Sequence, residues 1–240
     1  GDVAIFDALS APLGGTCTVN TTVTVTSITM GAFTGTLDFS ANDNNVNLVT
    51  FDGSGTGTRT LNMGDGTWTL SGSNANVWNY TTVTGLTHNA NSSTLIFTQT
   101  GGTSAGTSAF ITGGQSFNSV SIGTNSNANV FNITGAATFA TLAITAPCSV
   151  TFGSSTTLTI SGAFTWAGTL SAQLMLSSSS TTAAATIAAA ANSTIQWAGI
   201  RRITFTGNTV IATNSFDLKS NTLVTITPPS TGGGPRIVSG

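Results

Sequence analysis

The sequence has no Glu, one Lys (Lys219), four Arg and one His (His88), and charged residues fill 5% of its 240 positions. Soluble domains usually devote about a quarter of their residues to charge. Helix exteriors are normally built from Glu, Lys and Arg, so their scarcity argues against a helical surface. A net charge of −2 provides no basic field for a phosphate backbone, which argues against nucleic acid as a partner. Disordered chains combine low hydrophobicity with high net charge, whereas this one is 39% hydrophobic and almost neutral. It is long enough for one elongated domain or two small ones sharing a continuous core.

Catalytic groups are equally scarce. His88 lies in Leu86-Thr87-His88-Asn89, with no Gly-x-Ser-x-Gly signature to supply a nucleophile. A zinc site needs several His or Cys ligands at short spacing. Cys17 and Cys148 are far apart and belong to no metal or redox motif. Two buried thiols are favoured over a long-range disulfide. No cofactor is expected. The longest uncharged apolar-rich run, Ala183–Ala191, is interrupted by Thr186 and is too short to span a bilayer, so membrane insertion is not expected. No secretory signal is visible. The chain opens at Gly1 without an initiating Met, as a trimmed protein or a segment of a longer one would.

What remains is Thr, Ser, Asn, Gly and apolar residues in alternation. Thr22-Val23-Thr24-Val25-Thr26, Thr67-Trp68-Thr69-Leu70 and Thr157-Leu158-Thr159-Ile160 place apolar side chains on one face and hydroxyls on the other. Clusters such as Gly53-Ser54-Gly55-Thr56-Gly57 mark turns. A loose Thr-Leu-x-apolar repeat recurs at Thr36, Thr60, Thr94, Thr141 and Thr157, and Ile122, Ile133 and Ile144 fall at equal intervals. Hairpin dipeptides are confined to Asp52-Gly53 and Asp65-Gly66. The sequence therefore predicts an all-β parallel β-helix of roughly ten coils over 1–227, with rungs of about 20–25 residues. A β-sandwich or jelly roll is the alternative. The Ser- and Ala-rich stretch 177–191 fits either a short helix or a tight solenoid corner. The Pro/Gly-rich end, 228–240, cannot continue a ladder and reads as a C-terminal tail or linker.

Three groups of residues are candidate sites. Asp43 and Asp65 would stack on adjacent coils if rungs run near 22 residues, within reach of a carboxylate pair. Both lie in turns, however, where Asp normally caps backbone amides. Trp68, Trp78 and Tyr80 form a candidate glycan-binding platform, although both Trp residues fall on the apolar phase, where core burial competes. Threonine runs at Val23–Thr26 and Thr156–Thr159 have the look of ice-binding ladders, but their positions are expected to drift from rung to rung. Arg201-Arg202 reads as a solvated edge or subunit contact.

The stretches 35–39, 57–70, 77–79, 93–97 and 117–120 resemble repetitive β-solenoid virion proteins of tailed bacteriophages. The likeness covers most of residues 20–176 and fades across the Ala-rich segment. It implies a non-enzymatic fibre, spike or capsid-decorating protein at the virion surface, forming homo-oligomers and contacting other virion proteins or a host surface glycan. Bacterial adhesins converge on the same composition, so an extracellular or cell-surface module that binds glycans is the alternative. A glycan-cleaving tailspike is disfavoured by the missing Glu. The pattern contains no catalytic residues to carry over.

Overall fold

The computed structural model describes residues 1–10, 14–73, 75–98, 107–123 and 130–230. Among these residues every element is a strand, and the strands stack in parallel as a β-solenoid. This is the β-helix expected from the alternation, and the sandwich alternative falls away. The body makes about eight full turns. One sheet runs the whole length with ten strands, from Val3–Ile5 to Phe216–Asp217, so the ten coils expected include the terminal rungs. The last strand ends at Thr227. Most of the expected tail lies outside the described residues.

Parallel pairing in register sets each inward side chain on the inward side chain of the next rung. In the long sheet, called A here, Ile28, Phe51, Trp78, Phe110, Ile133 and Phe152 form one such column. In the nine-stranded sheet C, Val46, Trp68, Leu95, Val120 and Leu142 form another. These columns meet in a core where Phe51 stacks on Trp78 at 4.2 Å and Phe39 meets Trp68 edge-on at 4.6 Å. Each fully buried side chain of this size contributes about 1.5–3 kcal/mol.

The third side of the solenoid changes place along the chain. The first four rungs run from sheet A through a four-stranded sheet B to sheet C. Sheet B comprises Thr16–Thr18, Gly35–Asp38, Arg59–Asn62 and Leu86–Asn89. Among the described residues the next two rungs have only sheets A and C, with longer sheet C strands, Ser116–Ile122 and Ala137–Ile144. A new four-stranded sheet, D, then opens after sheet C with Thr165–Ala167 and continues to Val224–Thr227. This switch explains both rhythms of the sequence. Ile122 and Ile144 are register partners in sheet C while Ile133 lies between them in sheet A, so the even beat is a half-turn of a two-sided rung. Thr36 and Thr60 are partners in sheet B, but Thr94 and Thr141 belong to sheet C, which makes that repeat irregular.

Two local readings are decided by the register. Segment 177–191 contains no helix. Leu174–Ser178 and Ala185–Ala189 are strands, with Ala185, Ile187 and Ala189 buried between Leu158, Ile160 and Phe205 of neighbouring rungs. Alanine's helix preference is worth tenths of a kcal/mol per residue and yields to two ladders and a small-residue fit. The Ser180 hydroxyl accepts from the Thr182 and Ala183 amides and closes the corner. The threonine runs drift from rung to rung as expected, with Thr24 opposite Asn47 and Thr159 opposite Ala188, while Thr16, Thr36, Thr60 and Thr87 of sheet B do stand in one outward row.

Strand alternation at the Ala-rich segment is testable. Ile187→Ala is expected to cost about 3 kcal/mol in urea denaturation, while Ala188→Ser on the outer face stays within about 0.5 kcal/mol. Equal effects at the two positions would contradict the strand assignment.

Candidate functional site

The aromatic platform proposed from sequence is inside the protein. Trp68 and Trp78 have no exposed surface and Tyr80 has 1%. Trp68 donates its indole N–H to the Met63 carbonyl at 3.1 Å, and Trp78 sits beneath Phe51 and beside Phe110. Buried in this way, these residues have no face to offer a sugar. Val77 and Trp78 are both buried because a register irregularity between Asn76 and Trp78 breaks the alternation.

Sheet B stops at Leu86–Asn89, and a groove of about 560 Å³ opens at that end. Its rim includes Asn62, Asn89, Asn91 and Asn118, with Ser116 and the edge of Phe117. No charged side chain lines it. Asn89 donates to Asn62 Oδ1 at 2.6 Å, continuing an outward row that begins at Thr18 and Asp38. Asn118 is tied to the Ser93 carbonyl at 3.2 Å.

His88 is beside this groove for a reason visible in the register. The inward column of sheet B runs Cys17, Leu37, Leu61, His88, so the imidazole occupies an apolar position in the last strand. Its Nδ1 lies 2.8 Å from the Tyr80 hydroxyl. Burial raises the Tyr80 phenol well above its ordinary value, so the hydroxyl stays protonated and shares one hydrogen bond with the imidazole. Nε2 is buried and faces the Ser116 backbone without a well-formed hydrogen bond. Burial lowers the His88 pKa from 6.5 to about 4. The imidazole is thus a neutral core group near neutral pH.

Arg59 is the buried cation, 1% exposed. Its five N–H groups are all used: Nε and Nη2 donate to Gly53 O, Nη1 to Gly57 O and Thr84 O, and Nη2 also to Thr82 O. Burial lowers its pKa. It sews the corner carbonyls of two rungs together and faces no ligand.

Asp43 and Asp65 lie on adjacent rungs, as the 22-residue spacing suggested, but their carboxylates do not pair. Asp43 Oδ1 accepts the Asp65 amide at 2.9 Å, and Asp65 Oδ1 accepts the Ser92 amide at 3.1 Å on the following rung. Asn45 does the same for the Thr67 amide. Asp38 is held by the Ser40 hydroxyl and amide, which lower its pKa. Among the described residues, no three His, Cys, Asp or Glu side chains are placed to hold a metal ion. Cys17 and Cys148 are separate thiols, and burial pushes Cys148 up to about 12. No helix of the described residues is long and apolar enough to cross a membrane.

No family, curated protein or solved structure matches this chain. The groove itself was not foreseen from the sequence, because it arises where one sheet ends and no residue pattern marks that point. The one available signal was a histidine at an apolar phase, in Leu86-Thr87-His88-Asn89.

Two measurements follow from these contacts. Arg59→Ala is expected to cost about 3 kcal/mol, read by urea denaturation, because four buried or half-buried carbonyls lose their donors. For His88, the unfolded chain takes up a proton near pH 6.5 and the folded chain only near pH 4. Its contribution is therefore complete above pH 6.5, falls as pH drops through the window and is gone near pH 4. The loss amounts to about 3 kcal/mol. A His88→Leu/Tyr80→Phe double variant should lose that much less between pH 7 and pH 4; parallel pH profiles for the two proteins would contradict the assignment.

Proposed function

We propose that this chain is a non-enzymatic structural protein of a phage particle, a fibre, spike or capsid decoration at the virion surface that makes contacts with other virion proteins. The observation that carries this reading is how the reactive side chains are used. His88, Arg59, the caps Asp43 and Asp65, Trp68, Trp78 and Cys148 all serve burial or inter-rung bonding. The outward rows are hydroxyls and amides, such as Thr16, Thr36, Thr60 and Thr87. A neutral rod held by continuous ladders suits a load-bearing part exposed to the medium. The likeness of residues 20–176 to phage β-solenoids supplies the particle.

A second reading, an extracellular adhesin module binding a host surface glycan, is favoured by the groove at the end of sheet B. Uncharged amides and hydroxyls that both donate and accept suit a polyhydroxylated ligand. Cryo-electron microscopy of the native source tests the first reading. An ordered array of this chain on a capsid or tail supports it, and its absence from every particle fraction counts against it. A glycan array with the wild-type chain and Asn118→Ala tests the second. Binding weakened about tenfold by the substitution would favour the adhesin, and binding unaffected by it would remove the groove from consideration.

A further inference from the structure

Formal charge in this chain is segregated along its length. Residues 66–200 contain no Asp, Glu, Lys or Arg. Asp2, Asp7, Asp38, Asp43, Asp52 and Asp65 all precede that stretch, while Arg201, Arg202, Lys219 and Arg236 follow it, with Asp217. In a linear stack of rungs, order in sequence is order along the axis. The first three rungs are therefore acidic on their surface, since Arg59 is sealed inside, and the last two are basic. Six ladder steps separate the sheet A strands holding Asp52 and Arg201, or about 29 Å at about 4.8 Å per step. That is about three Debye lengths at 0.1 M salt. The two ends are too far apart to neutralise one another within one molecule.

Both ends also expose apolar surface that interior rungs bury. At the first rung Val3, Ile5 and Leu9 are exposed. Ala4 and Phe6 are only partly covered, although the inward column above them is sealed. At the last rung Phe216, Leu218 and Leu223 are exposed, and Val224 and Ile226 line an open cleft of about 480 Å³. Val224 and Ile226 sit directly over Val210 and Ala212, which are buried. Among the described residues, the terminal strands of sheet A, Val3–Ile5 and Phe216–Asp217, each have one edge without a paired strand. Such edges are templates for another strand.

We propose that the basic, apolar C-terminal face docks on the acidic, apolar N-terminal face of a second copy, head to tail. The inference rests on the structural-assembly reading and names its partner as another copy of this chain. Opposite charge selects the orientation: two acidic faces or two basic faces repel, and only the head-to-tail pairing satisfies both charge and apolar burial. It also keeps all strands running the same way, so parallel pairing continues across the joint. A head-to-tail contact that does not close produces open-ended stacks.

Sedimentation velocity of the full chain, from about 1 to about 100 µM, tests this at about 20 and about 500 mM NaCl. Concentration-dependent oligomers are expected, with association weakened about tenfold by the added salt. Ile5→Lys puts a cation on the acidic face and Leu223→Asp an anion on the basic face. Both sites are exposed, so folding should be unchanged by circular dichroism. Each variant alone is expected to be monomeric, and a mixture should give a one-to-one dimer and nothing longer, because each retains one working face. A monomer at every concentration, or self-association that survives either substitution, overturns the proposal. If the wild-type chain is monomeric yet imaged in an ordered particle beside other proteins, only the head-to-tail contact fails. Absence from every particle fraction would instead count against the assembly reading.

Discussion

Parallel in-register stacking is the constraint on which the rest of this structure depends. Once each strand pairs with the strand one turn later, whatever faces inward on one rung must tolerate what faces inward on the next. Columns such as Phe51–Trp78–Phe110 and Trp68–Leu95–Val120 follow from that rule. So do the exceptions. Arg59 is admitted to the interior because all five of its donors reach carbonyls. His88 takes a leucine's place because a neutral imidazole can share a hydrogen bond with the Tyr80 hydroxyl.

The same rule acts on the outer surface. A polar side chain one rung below is always close to a backbone or side-chain group one rung above, so Asp and Asn become connectors. Asp43, Asn44 and Asn45 each reach to a different neighbouring residue, binding the Asp65 amide, the Val19 carbonyl and the Thr67 amide. Surface polarity is thereby turned toward cohesion. Groups elsewhere available for acid–base chemistry are here tied to backbone amides in a repetitive lattice.

Much of this architecture was legible in the residues. Alternation of Trp68 and Leu70 with threonine, the turn-forming clusters and the few hairpin dipeptides pointed to parallel rungs, and the 22-residue offset placed Asp43 over Asp65. Burial of Trp68 was also readable from its phase. Trp78 was harder, since a register irregularity puts two consecutive residues inside. The exchange of sheet B for sheet D left no signature, because corners and strand faces draw on the same small polar residues. Which residues surround the groove depends on that exchange, so it could be seen only in three dimensions. At 177–191, local composition left a short helix and a tight corner both open, and the ladders on both sides decided for strands flanking a corner.

The uncharged middle rungs carry a consequence for anyone trying to find this protein. No Lys or Arg occurs between Arg59 and Arg201, and in the folded chain Arg59 is sealed. A protease that cuts after basic residues can release from that interval nothing smaller than the fragment 60–201, even from the unfolded chain. Peptide mapping by such digestion would miss most of the rod. The short peptides such a digest does yield, 203–219 and 220–236, both come from the C-terminal end of the sequence and report nothing of the uncharged rungs.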